Sequence, residues 1–267
     1  MLAFANAKIN LGLNITEKRP DGYHNIETVF YPVKLYDVVE VTDAPETSCL
    51  IRGIDVPGDT GDNICVKALK ALQKDFDFPM QQITLLKNIP VGAGLGGGSS
   101  DAAHLVKLLN SKFNLGLSVA QMQDYVRPLG ADCAFFIEND PAYAFGKGDE
   151  FSSIAIDLSK YFLVLVKPPV HVSTADAYAG IKPIIPSRSV KDLIHLPVKE
   201  WRSGLENDFE TSVFSKYPEI GQVKSKLYQS GALFSLMSGS GSSVFAIFDH
   251  QVHLPELEIE NKVYYNI

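Results

Sequence analysis

Residues 90–103 read Pro-Val-Gly-Ala-Gly-Leu-Gly-Gly-Gly-Ser-Ser-Asp-Ala-Ala, with five glycines inside seven positions. Glycine loses more conformational freedom on folding than any other residue, so this density is costly unless backbone must come close to something. The apolar positions that follow, Ala102, Ala103, Leu105, Val106, Leu108 and Leu109, have helical spacing and predict a helix with Ser99 or Ser100 near its N-cap. A glycine loop that runs into a helix N-terminus presents unpaired N–H groups and the positive end of the helix dipole. The expected guest is a phosphate chain.

Other phosphate motifs fit less well. No G-x-x-x-x-G-K-[ST] occurs, and Gly146-Lys147-Gly148 lacks both the upstream glycine and the hydroxyl residue. Gly92-x-Gly94-x-x-Gly97 matches the spacing of a dinucleotide loop. However, the preceding strand ends in Asn88-Ile89-Pro90, and no second strand ending in an acid follows about twenty residues on. Neither H-R-D nor D-F-G is present, which removes the protein-kinase reading. The bland alternative is a flexible loop or tight turn; the apolar helix that follows without a gap speaks against it.

A formal net charge of −7 argues against a general nucleic-acid binder, which needs a basic surface. Cys49, Cys65 and Cys133 form no CxxC pair and predict reduced thiols in a cytoplasmic protein. The strongest apolar run, Tyr161 to Val166, is too short to span a bilayer, and Met1-Leu2-Ala3-Phe4 leads straight into a strand pattern. Neither a membrane segment nor a signal peptide is expected. A chain of 267 residues suffices for one large domain or two modest ones.

From the N-terminus, residues 7–15 alternate, with Ala7, Ile9, Leu11, Leu13 and Ile15 on one side and Lys8, Asn10, Gly12 and Asn14 on the other. This predicts a half-buried strand with a polar face. Pro20-Asp21-Gly22 is turn chemistry; Tyr23–Val33 predicts a second strand and Asp37–Thr42 a third. Residues 63–76 have helical spacing, and Ile83–Leu86 is a strand leading to the glycine loop. Ser118 caps a helix over Val119–Leu129 that stops at Gly130. Strands are expected at Tyr143–Phe145, at Tyr161–Lys167, and on both sides of Ser238-Gly239-Ser240-Gly241-Ser242. Residues 174–182 and 200–230 read as helix and loop, and the fold class is α+β rather than an alternating βα series.

Pro90–Ala103 resembles the ATP-phosphate loop of the GHMP kinases, the superfamily of galactokinase, homoserine kinase, mevalonate kinase and phosphomevalonate kinase. Ala7-Lys8-Ile9-Asn10-Leu11 resembles the family's first motif, and Met237–Phe245 its C-terminal glycine-rich motif. The resemblance implies a two-domain GHMP kinase fold: a ribosomal protein S5 domain 2-like N-terminal domain over residues 1–157 and a ferredoxin-like C-terminal domain over residues 158–267, with the site in the cleft between them. It implies ATP, delivered as Mg-ATP, with the phosphates held by Pro90, Val91, Gly92, Ala93, Gly94, Leu95, Gly96, Gly97, Gly98, Ser99 and Ser100. No carboxylate is evident as a protein ligand for Mg²⁺. His250 and His253 read as solvated, and Asp101 as a first-turn acid favoured by the helix dipole.

Arg19-Pro20-Asp21-Gly22-Tyr23-His24 and Gly130-Ala131-Asp132 narrow the resemblance to the branch that phosphorylates a cytidyl sugar-alcohol diphosphate in isoprenoid synthesis. On residues alone, Asp132 is either an N-cap or a general base, and Lys8 either a surface lysine or its partner. The resemblance implies that they are the catalytic pair. It also implies that Tyr23 stacks on cytosine and His24 hydrogen-bonds it, although on spacing alone Tyr23 packs in a core. The resemblance further implies that Tyr178 takes the place of a second stacking aromatic and that Thr174 hydrogen-bonds the substrate, and Asn10 shares the side of the strand on which Lys8 lies. Two rival functions are another GHMP kinase acting on a small alcohol, and a nucleotide-binding protein that has lost catalysis. Tyr23-His24 speaks against the former and the Lys8/Asp132 pair against the latter. The partners expected are small molecules, with no nucleic acid and no membrane.

Overall fold

The computed structural model describes all residues, 1–267. In chain order the elements are β1 (Leu2–Lys18), β2 (His24–Asp43), β3 (Ser48–Gly53), α1 (Ile64–Leu72), β4 (Gln81–Lys87), α2 (Gly97–Lys112), α3 (Val119–Val126), α4 (Phe135–Glu138), β5 (Ala142–Phe145) and β6 (Glu150–Ser153). There follow β7 (Phe162–Lys167), α5 (Thr174–Tyr178), α6 (Val190–Leu193), α7 (Val198–Trp201), α8 (Phe209–Lys216), α9 (Pro218–Gln229), β8 (Phe234–Met237), β9 (Val244–Phe248), α10 (Pro255–Glu258) and β10 (Lys262–Tyr265). The chain forms two compact units. One comprises Met1–Lys8, Lys34–Val91 and Gly96–Asp140; the other comprises Ile9–Val33, Gly92–Leu95 and Pro141–Ile267.

In the first unit β3 runs parallel to β4, and β4 pairs antiparallel with the last third of β2. Along β4 the buried residues are Gln81, Ile83, Leu85 and Lys87; along β2 they are Leu35, Asp37, Val39 and Val41. This period of two is that of a sheet with one covered face. A lysine and an aspartate therefore stand in otherwise apolar files. Helix α1 buries Cys65, Val66, Ala68, Leu69 and Leu72 and packs on α2, which buries Ala102, Ala103, Leu105, Val106, Leu108 and Leu109.

In the second unit the start of β2 pairs with β5, which pairs with β6. A separate antiparallel sheet has the order β10-β7-β9-β8. Counted from β7, that is the β-α-β-β-α-β order of a ferredoxin-like domain, and it agrees with the expected fold class. Its core joins Val164, Val166, Val244, Ala246 and Phe248 of the sheet to Phe209, Val213, Ile220, Val223 and Leu227 of α8 and α9.

Three expectations are corrected. The second and third strands are one, β2, because it exchanges partners midway, from β5 at Thr28–Phe30 to β4 at Val38–Asp43. The polar side of β1 is not solvated: residues 5–15 are buried throughout, since Asn6, Lys8, Asn10 and Asn14 all have partners in the interior. Helix α2 begins earlier than the serines, at Gly97, with Gly96 as N-cap in the left-handed region (φ 70°) and no side-chain cap. Strands β3, β6 and β10 were not anticipated.

His104, only 7% exposed on α2, places Nδ1 2.9 Å from the carbonyl oxygen of Ser100. Burial pushes its pKa down to about 4. A base lowered on folding stabilises fully above its unfolded pKa of about 6.5, and that contribution disappears as pH falls towards 4. Urea denaturation at several pH values should show the parent losing on the order of 3 kcal/mol more than His104→Gln between neutral pH and pH ~4. Asp101, held up near 7 by burial, titrates in the opposite sense in both proteins and cancels in the difference. Parallel pH curves for the two proteins would contradict the assignment.

Candidate active site

Lys8 Nζ lies 3.2 Å from Asp132 Oδ2, with side chains 4% and 31% exposed respectively. The lysine is thus enclosed while the carboxylate keeps one side open. Asp132 occupies the turn between a short 3-10 segment (Arg127–Leu129) and α4, whose N-cap is Ala134, so the capping reading of Asp132 fails. Cys133, the next residue, is buried, and its thiol shares a hydrogen bond with Ser99; burial raises its pKa to about 11, which keeps it an inert neutral thiol. The stem of Lys8 runs beneath the glycine loop. A Cβ on Gly96 would stand 3.3 Å from Lys8 Cε and 3.0 Å from the Phe136 ring.

With no side chain capping α2, the N–H groups of Gly97, Gly98 and Ser99 are the helix's orphan donors. Ser99 is half-buried beside Cys133. Ser100 is fully buried, with its hydroxyl 3.2 Å from His104 Nδ1 and its N–H donated to the Gly96 carbonyl. Pro90 is buried; Val91 and Gly92 are exposed.

The earlier part of the loop, Gly92–Leu95, packs in the second unit on the serine-rich turn between β8 and β9. Ser238 Oγ donates to the Gly94 carbonyl at 2.8 Å, and the Ser243 N–H donates to the Ala93 carbonyl at 3.3 Å. Gly94 has φ +79°, and a Cβ there would fall 1.9 Å from the Ser238 carbonyl oxygen. Asn10 donates its backbone N–H to Ser238 Oγ at 3.2 Å and its side-chain amide to Thr28 Oγ1 at 2.9 Å. The turn is held from beneath by Asn207, whose amide donates to the carbonyls of Met237 and Gly239, each at 2.8 Å.

Also in this unit, the His24 and Tyr178 rings stack with centroids 4.8 Å apart and planes 25° from parallel. Tyr178 is set by an edge contact with Phe209. Tyr23 is 63% exposed, with the Lys147 ammonium 5.4 Å above its ring. Their turn is built by Arg19, whose guanidinium pairs with Asp21 and donates to Asn25, while Asp21 accepts the N–H of Tyr23 at 3.1 Å. Thr174 is exposed at the first position of α5, after the Ser173 cap.

The residues that sequence reasoning missed are chiefly positioning groups: Thr28, Asn207 and Asp208. The last accepts from the Ile15 N–H at 2.6 Å and the Asn14 amide at 3.2 Å. The signal was present as Asn-Asp directly before an apolar helix, where Asn207 Oδ1 accepts the Phe209 N–H at 3.0 Å in an Asx turn.

Models of the GHMP kinase N-terminal and C-terminal domains match residues 63–139 and 189–258. The chain belongs to the GHMP kinase family. Within that family it is 52% identical, over 97% of its length and 96% of the relative's, to the 4-diphosphocytidyl-2-C-methyl-D-erythritol kinase of Bacteroides fragilis. It is 48% identical to the protein of the same name from Parabacteroides distasonis, covering 96% of this chain and 94% of the relative. A crystal structure of a 4-(cytidine 5'-diphospho)-2C-methyl-D-erythritol kinase superposes with a TM-score of 0.82 at 28% identity, covering 99% of this chain and 98% of that one. A mevalonate kinase superposes at 0.69 and 13% identity, covering 99% and 98%, which speaks to the fold alone.

The backbone approach at Gly94 predicts a contrast. Gly94→Ala must displace a backbone carbonyl and should cost about 3 kcal/mol or more. Gly92 also has positive φ, but a Cβ there meets the exposed His171 ring, which can swing aside. Gly92→Ala should therefore cost only about 1–2 kcal/mol, the strain of an L-residue in the left-handed region. Equal losses in chemical denaturation would contradict this account of the loop.

Proposed function

We propose that the chain transfers the γ-phosphoryl group of ATP to the 2-hydroxyl of 4-diphosphocytidyl-2-C-methyl-D-erythritol, giving the 2-phosphate and ADP, in the non-mevalonate route to isopentenyl diphosphate. The observation that carries this reading is the enclosed Lys8–Asp132 pair beside Gly96 of the glycine loop. Its setting is a chain half identical, over nearly its whole length, to kinases of that name.

The chemistry asks little covalent work of the protein. A tertiary hydroxyl is a weak nucleophile, so its proton must leave as the O–P bond forms. Asp132 takes that proton; the bond from Pγ to the bridging oxygen breaks, and ADP leaves with the electron pair. Lys8 fixes the Asp132 carboxylate at 3.2 Å and lowers the cost of negative charge on the acceptor oxygen. Residues Val91 to Gly98, with Ser99, cradle the phosphates through backbone N–H groups and the dipole of α2, and Pro90, which has no N–H to offer, sets the entry to the loop. Ser100 supports the loop from within the helix rather than by its hydroxyl.

For the acceptor, Tyr23, His24 and Tyr178 supply flat faces and an imidazole for cytosine. Thr174 and Asn10 complete the set. His24 and Tyr178 stack on each other, so cytosine would enter by stacking on an outer face or by parting the two rings.

Magnesium accompanies ATP. No group of three or more histidine, cysteine or acidic side chains converges in the chain, and magnesium bound with ATP would draw most of its ligands from phosphate oxygens and water. The matched family models fall on either side of the proposed boundary between domains 1–157 and 158–267, whereas the compact units place residues 9–33, 92–95 and 141–157 with the C-terminal half. No helix is long and apolar enough to cross a membrane. The three unpaired cysteines support a cytoplasmic setting.

Incubation with Mg-ATP and, separately, the cytidyl substrate, mevalonate, homoserine or galactose should release ADP only with the first. Turnover of another alcohol in its place would sink the assignment. Asp132→Asn should lose kcat by on the order of a hundred- to ten-thousand-fold while the KM for ATP stays close to the parent's. Retention of most of the activity would remove Asp132 from the mechanism.

A further inference from the structure

Within the first unit, three ionisable side chains meet in the interior: Asp37 of β2, Lys87 of β4 and Asp101 of α2. None exceeds 4% side-chain exposure. Lys87 Nζ donates to Asp37 Oδ2 and, at 2.5 Å, to Asp101 Oδ2. The other oxygen of Asp37 accepts two backbone N–H groups, from Asn88 at 2.5 Å and Ile89 at 2.8 Å. Those residues lead directly into Pro90. Asp37 also lies against the far end of the loop, since a Cβ on Gly97 would stand 3.4 Å from Asp37 Oδ2. Asp101 is in the first turns of α2, and its Oδ1 is buried with no hydrogen-bond partner.

Stability is a poor reason for this arrangement. Taking three charged groups out of water costs several kcal/mol per ion, and well-packed apolar replacements of buried ion pairs are often neutral or stabilising. An unpartnered buried carboxylate oxygen adds a further desolvation penalty. Burial pushes the Asp101 carboxyl up to about 7, in the direction that such a cost requires. What the arrangement does provide is position. Residues 88 and 89 hang from one carboxylate, residue 97 packs against it, and Lys87 ties that carboxylate to the helix that supplies the orphan N–H groups.

We propose that Asp37, Lys87 and Asp101 are positioning residues that fix the two ends of the glycine loop at the spacing needed to hold a nucleotide's phosphates. The inference rests on the reading of that loop as the ATP cradle. Asp37 sets the start of the loop and its exit, and Lys87 carries the constraint to Asp101 and so to the register of α2. None of the three need touch the nucleotide.

The test compares the parent with Asp37→Asn and Asp101→Asn, by calorimetric titration with ADP and by KM for ATP and for the cytidyl acceptor. Asp37→Asn keeps the size of the side chain but replaces one acceptor oxygen by a donor facing either Lys87 or two N–H groups. It should weaken nucleotide affinity roughly ten- to a hundred-fold while the KM for the acceptor moves less than about twofold. Asp101→Asn keeps the Lys87–Asp37 pair and should give a smaller loss of the same selective kind. Unmoved nucleotide affinity in both folded variants overturns the inference, as do parallel losses for nucleotide and acceptor. Should Asp37→Asn fail to fold, the selective loss in Asp101→Asn decides. Failure of both to fold overturns the inference too, because the triad would then hold up the unit rather than the loop. A parent chain that binds no nucleotide would sink the kinase reading itself, an outcome distinct from a parent that binds while its variants do likewise.

Discussion

A lysine enclosed at the middle of a strand has to be paired, and Lys8 is paired with Asp132. The lysine is enclosed while the carboxylate keeps one side open, so the pair positions the turn after α3 against β1 without being a fully buried ion pair. The same logic extends along the strand. Asn6 exchanges amide hydrogen bonds with Asn139, Asn10 donates to Thr28, and Asn14 donates to Asp208. A polar face that is buried yet fully partnered fixes what lies against it. It brings the carboxylate proposed as base to the cation and sets the serine turn after β8 against Asn10.

Two backbone segments with little side chain then do the rest. The glycine loop and the turn at Ser238–Ser242 come so close that at Gly94 only a hydrogen fits beside the Ser238 carbonyl. The Ser238 hydroxyl satisfies the Gly94 carbonyl at this approach. The glycines thus have separate duties: Gly94 permits the approach, whereas Gly96 turns the chain into α2 and leaves the first N–H groups without a side-chain cap. An anion is the natural complement to those donors.

Much of this was legible in the chain. The loop-to-helix pattern, the alternation through Lys8 and Asn10, and the strand–turn–strand at 233–248 have short-range periodicity or turn chemistry, which one sequence carries well. What was missed depends on long-range pairing. β2 reads as two strands because its two partners, β5 and β4, are far apart in sequence, and no local pattern marks the exchange. Asp37 shows in sequence only as the start of a strand and Lys87 as the residue after one, since nothing nearby in sequence shows that Asp101 completes their cluster. Asn207 carries a local Asx signal, but its duty is to a turn thirty residues downstream. The burial of the β1 polar face was likewise invisible, because alternation reports which residues share a face and not whether that face meets solvent.

The account rests on a phosphoryl group arriving on one particular oxygen, and phosphorus NMR of the purified product reads that directly. The carbon bearing the 2-hydroxyl carries no hydrogen, so a phosphomonoester formed there has no carbinol proton to couple with. Phosphorylation at the 2-hydroxyl should give a new phosphomonoester resonance that stays a singlet without proton decoupling, alongside the unchanged diphosphate signals of the cytidyl group. A new resonance split by a carbinol proton would place the phosphate on a primary or secondary hydroxyl and contradict the account.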